Sequence, residues 1–136
     1  VLKLRLDETR LAGSGGERTA GKRVSEMTVK DLCGRLGWNL ICGSGEKEVS
    51  GCYIGDLLSR VMGNCGESDI WITVQTSRNM IAVAVLADAA AVLLPEGIHV
   101  SEEVIRWAEQ EDVTLAGCGT SAFSAAVSLA GELGMI

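Results

Sequence analysis

Apolar positions first recur with a clear period at Thr28. Val29, Leu32, Cys33 and Leu36 fall three and four residues apart, the stripe of an amphipathic helix. Thr28 with Asp31 three residues on is a capping-box pattern for its start, and Gly37 supplies the stop. Asn39–Cys42 reads as a short apolar strand. Beyond the turn at Gly43-Ser44-Gly45, Glu48–Cys52 is expected to be extended again. Gly55-Asp56 then opens a second helix, with Leu57, Leu58, Val61 and Met62 on one face and Gly63-Asn64 at its end.

From there the pattern repeats strand, turn, helix. Ile70–Gln75 is β-branched and aromatic and predicts a strand, followed by a helix over Ser77–Ala87. Ala91–Leu94 is a strand stopped by Pro95-Glu96-Gly97. Ser101 caps a helix over Glu102–Glu111, Val113–Ala116 is a strand, and Thr120 caps a closing helix over Ser121–Leu133. Such alternation calls for crossover connections and a mostly parallel sheet. Strands that are nearly continuous apolar runs suit a sheet covered on both faces. The expected fold is therefore α/β, a three-layer α/β/α arrangement.

Met80–Ala87 is apolar all round, so it predicts a helix buried on nearly every side. In a domain with its helices outside, such burial takes a partner chain, and a homodimer is expected. Ala122, Ala125, Ala126, Ala130 and Gly131 would also permit close approach of the last helix.

Residues 1–26 differ from the rest. Val1–Leu6 could make a short strand, but Gly13-Ser14-Gly15-Gly16 breaks the pattern. The segment is expected to be a flexible or loosely packed extension, with the organised domain over residues 27–136 and Met27 a candidate natural start. It carries six Lys/Arg and four Asp/Glu, a net of +2, against six and fourteen, a net of −8, in the remainder. An acidic body repels phosphate backbones and argues against nucleic acid. The five cysteines form no Cys-x-x-Cys pair, so buried free thiols are expected rather than disulfides or zinc. The longest nearly uncharged run, Met80–Leu94, is too short to span a membrane, and the protein is expected in the cytoplasm.

Little of the chemistry looks catalytic. Gly16-Glu17-Arg18-Thr19-Ala20-Gly21-Lys22 matches a phosphate loop until Arg23 replaces the Ser/Thr that would hold Mg²⁺, and no buried strand leads into it. Gly43-Ser44-Gly45-Glu46-Lys47 joins two extended segments and reads as a turn. His99 is the only histidine and sits in a loop beside Glu102 and Glu103, a solvated position. No lysine stands within an apolar strand. Neither a catalytic set, a metal site nor a cofactor is expected.

What remains is polar residues after the strands, where open α/β sheets gather ligands. Gln75, Thr76, Ser77, Arg78 and Asn79 form one group, Glu96 and Gly97 a second, and Thr120 and Ser121 a third. They serve either as helix caps or, if adjacent in space, as the rim of a small-molecule site. Asp56 and Ser59 in Gly55-Asp56-Leu57-Leu58-Ser59 divide the same way, between a helix start and a ligand contact.

Gly51-Cys52-Tyr53-Ile54-Gly55-Asp56-Leu57-Leu58-Ser59, Val61-Met62 and Trp71-Ile72-Thr73-Val74-Gln75 resemble the small stand-alone DRTGG-domain proteins. Asn79, Ala82-Val83-Ala84, Pro95-Glu96-Gly97 and Ser121-Ala122-Phe123 continue the likeness in order, over about Thr28–Leu133. Where the family's name-giving motif has Asp-Arg this chain has Ser77-Arg78, and where it has Thr-Gly-Gly it has Pro95-Glu96-Gly97. Of the motif, Arg78 and Gly97 carry over. The resemblance implies a fold like the N-terminal domain of HPr kinase/phosphorylase. It also implies kinship with regulatory or structural domains placed beside CBS domains in some pyrophosphatases.

Three readings follow. The first is a non-catalytic regulatory sensor that binds a nucleotide-like molecule at the strand ends and signals to a protein partner. The second is a protein-interaction or dimerisation module without a ligand. The third is an HPr serine kinase-like enzyme, against which stand the altered phosphate loop and the single histidine.

Overall fold

The computed structural model describes residues 27–136 and the backbone of Leu2–Arg5. The expectation of a loose extension, apart from those four residues, and the phosphate-loop-like Gly16–Lys22 both lie outside the described residues. The strands are β1 (Leu2–Arg5), β2 (Asn39–Cys42), β3 (Gly51–Ile54), β4 (Asp69–Ile72), β5 (Ala91–Leu94) and β6 (Leu115–Gly117). The helices are α1 (Val29–Leu36), α2 (Leu58–Asn64), α3 (Arg78–Ala87), α4 (Glu102–Gln110) and α5 (Ala122–Glu132). The fold is α/β, as the alternating pattern predicts.

One sheet runs in the order β1-β3-β4-β5-β6-β2. β3, β4, β5 and β6 pair in parallel as successive neighbours. The two outer strands are antiparallel, β1 on β3 and β2 on β6. Three crossovers therefore step one way along the sheet, and the handedness rule sends their helices to one face. Accordingly, buried residues of α2, α3 and α4 (Val61, Met80, Ile81, Val104) share an apolar cluster with Trp71, Val92, Leu94 and Leu115. Residues of α1 and α5 (Leu32, Leu129) share the other cluster with Ile70, Ile72, Leu93 and Ala116. Along β3, β4, β5 and β6 neighbours alternate between the clusters because successive strand side chains point to opposite faces.

Several local expectations hold. Thr28 and Asp31 form the reciprocal capping box, and Gly37 ends α1 in the left-handed conformation. The Gly43–Lys47 segment is a turn whose carbonyls at Gly45 and Lys47 accept the N–H groups of Lys30 and Val29. Those donors of the first helical turn are thereby occupied. Arg35 of α1 pairs with Glu132 of α5 across one face. Four of the cysteines are buried and Cys118 is half-buried, all as free thiols. Burial pushes the Cys52 thiol well above its ordinary range, with the Asp69 carboxylate and Cys65 adding to the shift. Burial also raises Cys33 and Cys42.

Other expectations need correction. α5 is capped by Ser121, whose hydroxyl accepts the Ser124 N–H, and not by Thr120. The face expected for α2 splits, because Leu57 precedes the helix and is 61% exposed while Val61 is buried. Within the single chain α3 is covered on one side only. Met80, Ile81, Val83 and Ala84 are buried, but Ala82, Val85 and Leu86 face outward. A hydropathy pattern without polar positions cannot show which side of a helix the sheet covers. No described helix is long and apolar enough to cross a membrane.

Candidate ligand-binding site

The four parallel strands end along one edge of the sheet, and the segments following them meet there. Asp56 lies two residues past β3. Its Oδ1 accepts the Thr73 hydroxyl at 2.7 Å and the Val74 N–H at 2.9 Å. Gln75 donates its side-chain amide to the Asp56 carbonyl at 2.9 Å and its N–H to the Thr73 hydroxyl oxygen at 3.2 Å. The structure thus joins Asp56 and Gln75 in a latch between the ends of β3 and β4. Asp56 therefore does not start α2, which begins at Leu58. Ser59 is exposed on α2, Thr76 is half-buried, and Asn79 is exposed in the first turn of α3.

A second tie joins β5 to β6. Glu96 and Gly97 both take left-handed backbone, at φ 63 and 68. Their N–H groups donate to the carbonyls of Thr120 and Cys118, each at 2.8 Å. Glycine adopts that conformation freely, whereas at Glu96 it costs about 1–2 kcal/mol. The Thr120 hydroxyl lies 3.6 Å from the Cys118 sulfur. Arg78 turns away from this group, its guanidinium 4.6 Å over the ring of Trp107 on α4. The nine expected residues are therefore not one constellation. Asp56 and Gln75 form one group, Glu96, Gly97 and Thr120 another, and Arg78 belongs to the space between α3 and α4.

Between the β5 and β6 ends a cleft opens. The connection after β5 leads to α4, and the connection after β6 leads to α5, whose core residues belong to the opposite cluster. Adjacent parallel strands whose connections diverge to opposite faces leave a crevice outside their carboxyl ends. The crevice here holds about 450 Å³. Its walls are Gly97–Val100, Gly117–Gly119 and Ile105 of α4, with Asn39 and Ile41 of the neighbouring strand β2. Aliphatic groups and glycine backbone dominate. Among the described residues, the lining side chains able to hydrogen-bond are Asn39, His99 and the Cys118 thiol, and none is acidic. Glu102 and Glu103 occupy the first turn of α4 and offset its positive end, whereas the first turn of α5 has no acidic residue.

Of the expected site residues Gly97 lines this cleft, and Glu96 and Thr120 flank its walls in sequence. Asn39 and His99 escaped the sequence reading. Asn39 enters because β2 returns antiparallel beside β6, pairing Asn39 with Gly117, a juxtaposition that only the topology reveals. His99 looks in sequence like a solvated loop residue, and it is exposed, but it stands on a cleft wall. The glycines at 97, 117 and 119 were the available signal, since their lack of side chains keeps the walls open.

No family model matches the chain, and no curated protein does. Among solved structures it resembles the CBS and DRTGG domains of the regulatory region of a Clostridium perfringens pyrophosphatase, crystallised with the activator diadenosine tetraphosphate. The TM-score is 0.64 at 14% identity, over 93% of this chain and 57% of that one. This chain thus spans little more than half the length of the protein it matches, and what the likeness establishes is a shared fold.

Proposed function

We propose that the chain is a non-catalytic regulatory domain of the DRTGG type, which senses a small nucleotide-like molecule in the crevice between β5 and β6. The observation that carries this reading is the crevice itself, a 450 Å³ hollow where connections diverge to opposite faces of the sheet. Flat glycine walls and the side chains of Ile41, Ile98 and Ile105 suit a planar ring, and the Asn39 amide can read its polar edge. His99 at the mouth can donate to a phosphate or ribose oxygen. The net −8 of residues 27–136 disfavours polyanions, so a nucleoside or a monophosphate suits the cleft better than a long phosphate chain.

The regulatory assignment draws on the likeness to a regulatory region whose structure holds a nucleotide activator. In the same reading the domain is a three-layer α/β/α sandwich akin to the N-terminal domain of HPr kinase/phosphorylase, and it works as a homodimer. Glu96, Gly97 and Thr120 belong to the ligand site, while Asp56 and Gln75 hold its scaffold.

Thermal unfolding with adenosine, AMP, ATP and diadenosine tetraphosphate tests the reading. A ligand at 100 times its dissociation constant adds about 2.7 kcal/mol of stability. Gly119 lines the cleft and a Cβ there would meet no atom within 4 Å, so Gly119→Leu is chosen to crowd the cleft. The expected result is a stabilisation by at least one nucleotide that Gly119→Leu abolishes, with the ligand-free melting point unchanged. No stabilisation by any of them at millimolar concentration favours the interaction module, and a shift that survives Gly119→Leu places the ligand elsewhere.

A further inference from the structure

The charges around the β5–β6 cleft say more about its occupant than its volume does. Residues 27–136 carry six lysines and arginines, and none of them lines the cleft. Arg35, two residues before the wall at Gly37, is paired with Glu132, and Lys47 is paired with Asp88. Arg78 lies over Trp107. Lys30 stands in the first turn of α1, at the opposite end from Gly37, and Arg60 belongs to α2, in the crossover from β3 to β4. Arg106 directly follows the wall residue Ile105, and consecutive helical residues do not share a face. Backbone donors on the walls are spent as well. The N–H groups of Gly97, Ile98 and Cys118 go to the carbonyls of Cys118, Pro95 and Leu94, at 2.8, 3.2 and 3.0 Å.

Acidic groups flank the same opening. Glu102 precedes Ile105 by three residues and so shares its face of α4, with Glu103 beside it, and both are exposed. Glu96 adjoins the wall residue Gly97. α1 ends at Gly37, which brings the negative end of that helix to the wall. The positive end of α5 begins beyond Gly119, and there the Ser121 hydroxyl already takes the Ser124 N–H at 3.1 Å. A phosphate is held by cationic side chains or by a cradle of open N–H groups. These walls instead offer Asn39, His99 and the Cys118 thiol, partners for neutral polar groups. We infer that the cleft takes an uncharged nucleoside and turns away its phosphorylated forms. The inference rests on the ligand reading above and names the ligand class. The domain then responds to a product of phosphate-ester hydrolysis, and to the nucleotide pool only through the reaction that removes the phosphate.

Isothermal titration of the full chain with adenosine, guanosine and their 5′-monophosphates, in about 20 mM salt, is the test. At least one nucleoside should bind, at least tenfold more tightly than its own monophosphate. The 5′-O-methyl derivative of that nucleoside extends the same position without charge and should bind within threefold of the parent. Glu102→Gln combined with Glu103→Gln should narrow the gap between nucleoside and monophosphate at least threefold. Salt at about 0.5 M should do the same, because both changes act on exposed charge. A monophosphate that binds as tightly as its nucleoside overturns the inference and leaves the ligand reading standing. An O-methyl derivative that binds as weakly as the monophosphate also overturns it, since bulk and not charge would then be excluded. A gap unmoved by the glutamine variant and by salt has the same meaning. If none of the four binds, the inference falls, and binding of ATP or diadenosine tetraphosphate then decides whether the ligand reading falls with it.

Discussion

Replacing Asp56 with alanine separates the two roles open to that residue. Its Oδ1 accepts two hydrogen bonds, from the Thr73 hydroxyl and the Val74 N–H. Thr73 is only 2% exposed, so its hydroxyl cannot turn to bulk water when the carboxylate is removed. A hydrogen bond to a charged group contributes about 1.5–3 kcal/mol, toward the lower end where the carboxylate itself faces solvent. With a second donor on the exposed Val74 N–H, Asp56→Ala should cost about 2 kcal/mol. For a domain of this size that lowers the melting point by roughly 8 °C. Thr73→Val keeps the shape but removes both the donor to Asp56 and the acceptor of the Gln75 N–H, at about 1–2 kcal/mol. Because the two side chains share one bond, the double variant should fall short of the sum by about 1 kcal/mol. Urea unfolding of the four proteins completes the cycle. If Asp56→Ala costs under about 0.5 kcal/mol and instead eliminates nucleotide stabilisation, the carboxylate is a ligand contact and the latch is wrong.

Burial raises the Cys52 thiol above its ordinary pKa, so the native state keeps a proton that the unfolded chain releases on the alkaline side. That stability is fully present below the unfolded thiol's range, near 9.0, and is lost as pH rises above it. The slope is about 1.4 kcal/mol per pH unit per thiol, and Cys52→Ala should remove one thiol's share in denaturation series between pH 8 and pH 11; an unaltered slope would show that Cys52 ionises in place. Gly43 has φ 94, and a Cβ there would overlap the Thr114 hydroxyl and come within 2.6 Å of the Thr114 Cα. Gly43→Ala should therefore destabilise by about 2–5 kcal/mol, from left-handed strain plus overpacking, and a loss below 1 kcal/mol in urea unfolding would mean that the turn relaxes freely.

What the sequence shows well is whatever one element decides for itself. Thr28, Asp31 and Gly37 state the limits of α1 locally, and Asn39–Cys42 and Ala91–Leu94 are strands with the bounds their apolar runs suggest. What it hides depends on neighbours distant in the chain. The stretch Met80–Ala87 has no polar position to mark its outer side, so its exposed stripe emerges only once the sheet and α4 are in place. Asp56 looks like a helix start because its partner Thr73 lies seventeen residues on. The candidate cleft is harder still, since Asn39 meets Gly117 only through β2 returning along β6.

That return has a consequence for how the molecule assembles. From β3 to β6 every parallel strand pairs with the next in the chain, through crossovers of modest length, so this block can zip up stepwise. The β2–β6 ladder instead closes a loop from Asn39 to Gly117, and its entropy must be met before any of its hydrogen bonds form. β2 should accordingly dock late in folding and be the first strand to open, with small φ-values at Leu40 and larger ones at Ile70 and Val92. Asn39 and Ile41 are the part of the cleft wall that this late strand supplies. A molecule held there would bridge the most local and the least local parts of the sheet. Its occupancy would be felt as slower opening of β2, a change in unfolding rate and amide exchange rather than in the shape of the fold.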